Sequence, residues 1–153
     1  STTIDGVMAA SFFPDAKDTS DEYVSQFMKI NAKYNPGVSF DNVVLQAMNT
    51  AMLTVQALRA AGKNLTRAGV ISAIETKGST FASAGLAPLN YSTTSHVGYN
   101  GYWFGQLNAK GELLPYITGK RTVYTTDSTS KDAPVVSTYE RKPIPKNGIP
   151  TNS

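Results

Sequence analysis

Residues 40–62 read "FDNVVLQAMNTAMLTVQALRAAG", with no proline and no glycine before the last position. Apart from Asp41 and Arg59 the stretch carries no charge. Ala, Leu, Met and Gln are strong helix formers. The composition therefore predicts one long helix, with Ser39 able to cap its start and Gly62 to stop it. Val44, Met48, Ala51, Val55 and Leu58 recur at helical spacing and form an apolar stripe. At about 100° per residue, Leu45, Met52 and Leu53 fall well away from that stripe. A helix lying on a surface shows one apolar face, and this one shows nearly two. It is expected to be covered on both sides, partly by a missing segment or a partner.

The elements on either side are shorter. Upstream, "IDGVMAASFFP" from Ile4 to Pro14 has the apolar, β-forming texture of a buried strand leaving a sheet. A polar loop follows, and Thr19 with Glu22 forms a capping-box pattern. Tyr23, Phe27, Ile30 and Tyr34 then share one helix face, and Asn35-Pro36-Gly37 ends that helix with Gly37 as a left-handed cap. Downstream, "LTRAGVISAIET" predicts a third helix, capped by Asn64 or Thr66 and stopped by Gly78. "FASAGLAPLNYS" reads as extended chain. "GYNGYWFGQLN", a loop at Ala109-Lys110-Gly111 and "ELLPYI" read as a hairpin, and "RTVYTT" as an edge strand. The class is α/β, or α+β for a fragment: about three helices, then a small β-hairpin or sheet. Residues 1–118 form the folded part and 119–153 a Thr/Ser/Pro/Lys-rich tail with little core of its own.

Composition narrows the chemistry. The chain has 153 residues, 41% apolar and 16% charged, enough for one packed domain. It has no cysteine, which excludes disulfides, thiolate metal sites and a Cys nucleophile. No apolar run approaches the roughly 20 residues of a membrane span. The chain starts without Met, a basic n-region or a signal-like segment and is expected to be processed, or cut from something longer. Its net charge of +3 comes from residues 119–153, with Lys120, Arg121, Lys131, Arg141, Lys142 and Lys146. That pattern suits a solvated tail and not a nucleic-acid patch.

Individual residues give little sign of covalent chemistry. His96 is the only histidine, no Asp or Glu lies between Thr76 and Lys110, and no Gly-x-Ser-x-Gly elbow is present. It is read as a turn or strand-edge residue. Trp103 with Tyr99, Tyr102 and Phe104 could stack a ligand but is read as sheet packing, with Tyr102 and Phe104 on one side and Trp103 on the other. Gly98, Gly101 and Gly105 lack the dinucleotide spacing. Asp15, Asp18, Asp21 and Glu22 lack the EF-hand pattern and read as a loop and helix start. Asn64 and Asn90 begin sequons that arise readily by chance. No catalytic residue, metal site or cofactor is assigned.

"LQAMNTAMLTVQALRAAGKN" resembles a recurring segment of type I periplasmic solute-binding proteins, the branched-chain amino acid receptor family of ABC transporters. That segment often starts aromatic-Asp-Ala, where this chain has Met48-Asn49-Thr50, and ends Ala-Gly, as here at Ala61-Gly62. "DGVMAASFFP", "EYVSQFMKINAKYNPG", "RAGVISAIET" and "GLAPLNYSTTSHVGYNGYWFGQLNAKGEL" are similar to its neighbours in order and spacing, over roughly residues 4–118. The resemblance implies the C-terminal part of a two-lobed, periplasmic or cell-surface receptor. It also implies an amino acid-like ligand, hinge closure and an ABC permease as partner, with the rest of the receptor or a second copy as the covering. It implies ligand contacts at the start of the long helix: Phe40, Asn42, Val43 and Gln46. A sensory module of the same fold, a hydrolase fragment and a self-contained adhesive domain are the alternatives.

Overall fold

The computed structural model describes residues 2–63, 65–116, 121–125, 135–137 and 140–144. Asn64, Ile117 and most of the tail, with Lys120, Lys131 and Lys146, lie outside the described residues. Among those described there are three helices, α1 (Glu22–Tyr34), α2 (Asn42–Ala61) and α3 (Arg67–Lys77). Five short strands follow the pattern β1 (Met8–Ser11), β2 (Gly101–Leu107), β3 (Leu113–Pro115), β4 (Tyr124–Thr125) and β5 (Val135–Val136). All pairings are antiparallel: β1, β3 and β4 flank β2, and β5 pairs with β4. The expected three helices and small sheet are there.

The boundaries differ from the sequence reading for identifiable reasons. A carboxylate outcompeted the expected hydroxyl cap at two helix starts. Asp21 caps α1 by accepting from the backbone N–H groups of Tyr23 and Val24, and Asp41 caps α2 by accepting from Val44. At α3, Thr66 is the cap, with Oγ1 accepting from Gly69 N. The first helix ends at Asn35, whose N–H bonds Asn31 O, so Gly37 is not needed as a left-handed cap. The strand expected over Ile4–Pro14 shrinks to four residues, preceded by a 3-10 turn at Thr2–Ile4. The hairpin turn is as expected, with Gly111 at φ +80° where a side chain would be strained.

The side of α2 that packs inward is not the stripe the spacing singled out. Its buried residues are Leu45, Asn49, Met52, Gln56 and Ala57. Val44, Met48 and Val55 are half-buried, and Ala51 and Leu58 are exposed. Two buried amides explain this. Gln56 Oε1 accepts from Ala82 N at 2.8 Å and its Nε2 donates to Ala82 O at 2.9 Å. Asn49 Oδ1 accepts from Ala84 N at 2.7 Å and its Nδ2 donates to the Tyr99 hydroxyl at 2.6 Å. Segment 81–89 belongs to no strand, so these side chains satisfy backbone groups that burial would otherwise leave unpaired. Polar letters on the inner face hid it from an apolar-period search.

Leu45 and Met52 pack with Tyr23, Val24 and Phe27 of α1 and with Phe13, Ala16 and Ala84. Ala57, Phe81 and Leu89 form a second cluster, and Tyr99 packs against both. Tyr34, placed by its spacing on the inner face of α1, is 67% exposed, while Asn31 in the same turn is buried and donates to Val38 O. Trp103 is buried, and its Nε1 donates to Phe13 O at 3.0 Å while the Arg121 guanidinium lies over its ring. Tyr102 and Phe104 emerge on the opposite face of the sheet, as strand alternation requires.

Candidate functional site

The N-terminal turns of α2 are set by Asp41 and by the chain that crosses in front of them. Asn42 Oδ1 accepts from Ala16 N at 2.9 Å, which ties the loop after Pro14 to the helix start. Phe40 is half-buried and packs against the cluster formed by α1 and α2. Both residues therefore have structural work. Val43 and Gln46 do not share it: Val43 is 73% exposed and Gln46 is exposed one turn further on. The four residues lie together at one end of α2, with an apolar and an amide side chain directed outward.

The other candidates resolve into architecture. His96 Nε2 lies 2.9 Å from Glu75 Oε1, so the fold supplies the carboxylate partner missing from the local sequence. The imidazole side chain is 68% exposed, on the loop that the contact staples to α3. Asp21 caps α1 and pairs with Arg141, Asp18 pairs with Arg121 at 3.4 Å, and Glu22 accepts from Ile144 N at 2.8 Å. The acidic cluster is thus a mount for residues 121 and 140–144. Hydrogen bonding from Ser20, followed by the Arg121 charge, holds the Asp18 carboxyl below its ordinary range, against burial that opposes it. No group of three or more His, Cys, Asp or Glu able to hold a metal ion occurs among the described residues.

One concavity was missed in the sequence. Between α2 and α3 lies a cleft of about 380 Å³ lined by both helices, Phe81, Tyr91 and Tyr99. Its walls come from two helices and three separate points on the chain that follows them, so no local motif announces it. Burial pushes the Tyr99 hydroxyl above its ordinary pKa, against the Asn49 hydrogen bond, which lowers it.

The profile of the periplasmic binding protein family matches residues 2–112, which takes in β1, all three helices, β2 and the hairpin turn. No curated protein and no solved structure matches the chain.

Proposed function

The chain belongs to the periplasmic binding protein family, and from that premise we propose that it is the C-terminal part of an extracytoplasmic receptor for an amino acid or related solute. The receptor would close two lobes on a hinge and present its cargo to an ABC permease. The role is binding, with no covalent step. The observation that carries the reading is the outward placement of Val43 and Gln46 at the start of a helix whose neighbouring flank is not fully covered. Val44, Met48, Ala51 and Val55 on that flank range from half-buried to exposed. They form an uncharged surface suited to another layer, supplied by the rest of the receptor. No helix among the described residues is long and apolar enough to cross a membrane.

Phe40, Asn42, Val43 and Gln46 are proposed as the ligand contacts. Val43→Ala and Gln46→Ala are the clean probes, because both side chains are exposed. Calorimetric titration of the full-length receptor, with the solute found by thermal-shift screening, should show at least about tenfold weaker binding in each. Unchanged affinity removes the start of α2 from the site. A second copy of the chain is the competing cover for this flank of α2.

A further inference from the structure

We infer that the cleft between α2 and α3 binds a small uncharged aromatic molecule that carries a hydrogen-bond donor, of the size and chemistry of a phenol. The volume of about 380 Å³ lies in the range of small-molecule sites. Leu53, Ala57, Val70 and Ile74 supply apolar walls, and Tyr91 and Tyr99 supply aromatic ones. Both rings are pinned before any ligand arrives. Asn49 holds the Tyr99 hydroxyl at 2.6 Å. Tyr91 lies so close over Gly98 that a Cβ there would come within 2.5 Å of the phenol ring. A wall already fixed loses little freedom on binding.

The polar groups select the ligand's chemistry. No charged side chain lines the cleft. Of the charged side chains on α3, Glu75 pairs with His96 and Lys77 donates to Ala60 O, and none lines the cleft. An ionised carboxylate or ammonium would leave water without a counter-charge among the lining residues. Thr50 and Thr54 also line the cleft, and each hydroxyl already donates to the carbonyl four residues earlier, Gln46 O at 3.0 Å and Thr50 O at 2.9 Å. Their oxygens can offer only lone pairs, so a ligand group seated against these two threonines must bring the proton. An amino acid headgroup, which carries both charges, does not suit this lining, and none of Phe40, Asn42, Val43 and Gln46 is part of it.

The test is a titration of the isotope-labelled 153-residue chain with phenol, followed by two-dimensional NMR. Saturable shifts at the Leu53, Val70 and Ile74 methyls, with intermolecular NOEs to them, are expected. Benzoate and phenylalanine at neutral pH should give none. Thr54 is exposed, so Thr54→Phe should fold, fill the cleft and weaken phenol binding at least about tenfold. If that variant does not fold, the NOEs on the unaltered chain decide. Gln46→Ala should leave phenol binding intact, which separates this site from the solute site. Absence of saturation, equal binding of benzoate, or NOEs confined to another surface would overturn the proposal.

Discussion

Asn49 is fully buried and meets three groups at once: Ala84 N, the Ser83 hydroxyl and the Tyr99 hydroxyl. Replacing it with Leu keeps much of the volume but strands the Ala84 N–H in a dry interior. Gln56→Leu does the same to both backbone groups of Ala82. An unsatisfied buried group costs about 1–3 kcal/mol, so each variant should lose about 2 kcal/mol or more, read from the urea midpoint. The double variant should lose less than the sum, because both amides hold one segment. Full additivity would mean that the two bonds act independently. A second residue-scale prediction concerns Tyr23, whose hydroxyl donates to Lys142 O at 2.6 Å. Burial, only partly offset by the Arg141 charge, pushes its pKa from 10.0 up to about 12. The folded state thus holds the proton more tightly than the unfolded chain. The associated stability is complete below pH 10.0 and is lost as pH rises towards about 12. Tyr23→Phe should flatten stability across that interval by up to about 2 kcal/mol, which denaturant titrations at stepped alkaline pH would reveal. An equally steep decline in the variant would assign the alkaline sensitivity to other groups.

Residues 140–144 form an extended strap that reaches back across the molecule. Arg141 donates to Ala84 O at 2.9 Å, pairs with Asp21 and lies over the Tyr23 ring. Ile144 packs on the α1–α2 cluster. Arg141→Ala would remove these contacts and leave Asp21, only 12% exposed along its side chain, without its cation. The expected cost is about 2–4 kcal/mol, and Arg141→Lys should recover only part of it, since Lys lacks the planar fork. Thermal unfolding of the three chains checks this, and a loss within about 0.5 kcal/mol would show that the strap is ornamental. The strap was illegible in the sequence because its contacts span some 120 residues: Arg141 reads as one cation in a basic tail until Asp21 is beside it. The helices were legible because they depend on neighbours three and four residues away. The hairpin was legible through its Gly111 turn and the alternation around Trp103. The inner side of α2 was not, since Asn49 and Gln56 declare themselves core residues only once segment 82–84 lies against them. For the same reason the proposed contacts at the start of α2 came from likeness to a family, while the cleft beside Tyr91 and Tyr99, built by tertiary contact alone, went unseen.

At the scale of the whole molecule, the described residues leave two apolar surfaces facing water. One is the flank of α2 that carries Ala51 and Val55. The other is the outer face of the sheet, where Met8, Ala10, Phe104, Gln106, Leu114 and Tyr124 share one side by register. Met8, Phe104 and Leu114 are 48%, 45% and 47% exposed, and none of those six side chains is charged. Phe104 already packs against Tyr102 and Tyr124, so the aromatic surface is ordered and not merely greasy. Extended apolar faces of this kind usually mark an interface. A face without charge can meet its own copy without repulsion, as two sheets do when they pack about 10 Å apart. The chain should therefore self-associate, with sedimentation coefficients that rise with concentration. The double variant Phe104→Lys, Leu114→Lys should stay monomeric, because two like charges would be forced together across the two-fold. Both positions are outward, so the urea midpoint should change by less than about 1 kcal/mol. Ala51→Lys should instead leave self-association intact and weaken docking of the rest of the receptor. A chain that sediments as a monomer at every concentration would remove the sheet face from consideration. Self-association abolished by Ala51→Lys would move the dimer to α2, and the second copy would then compete with the receptor's own covering layer for one surface.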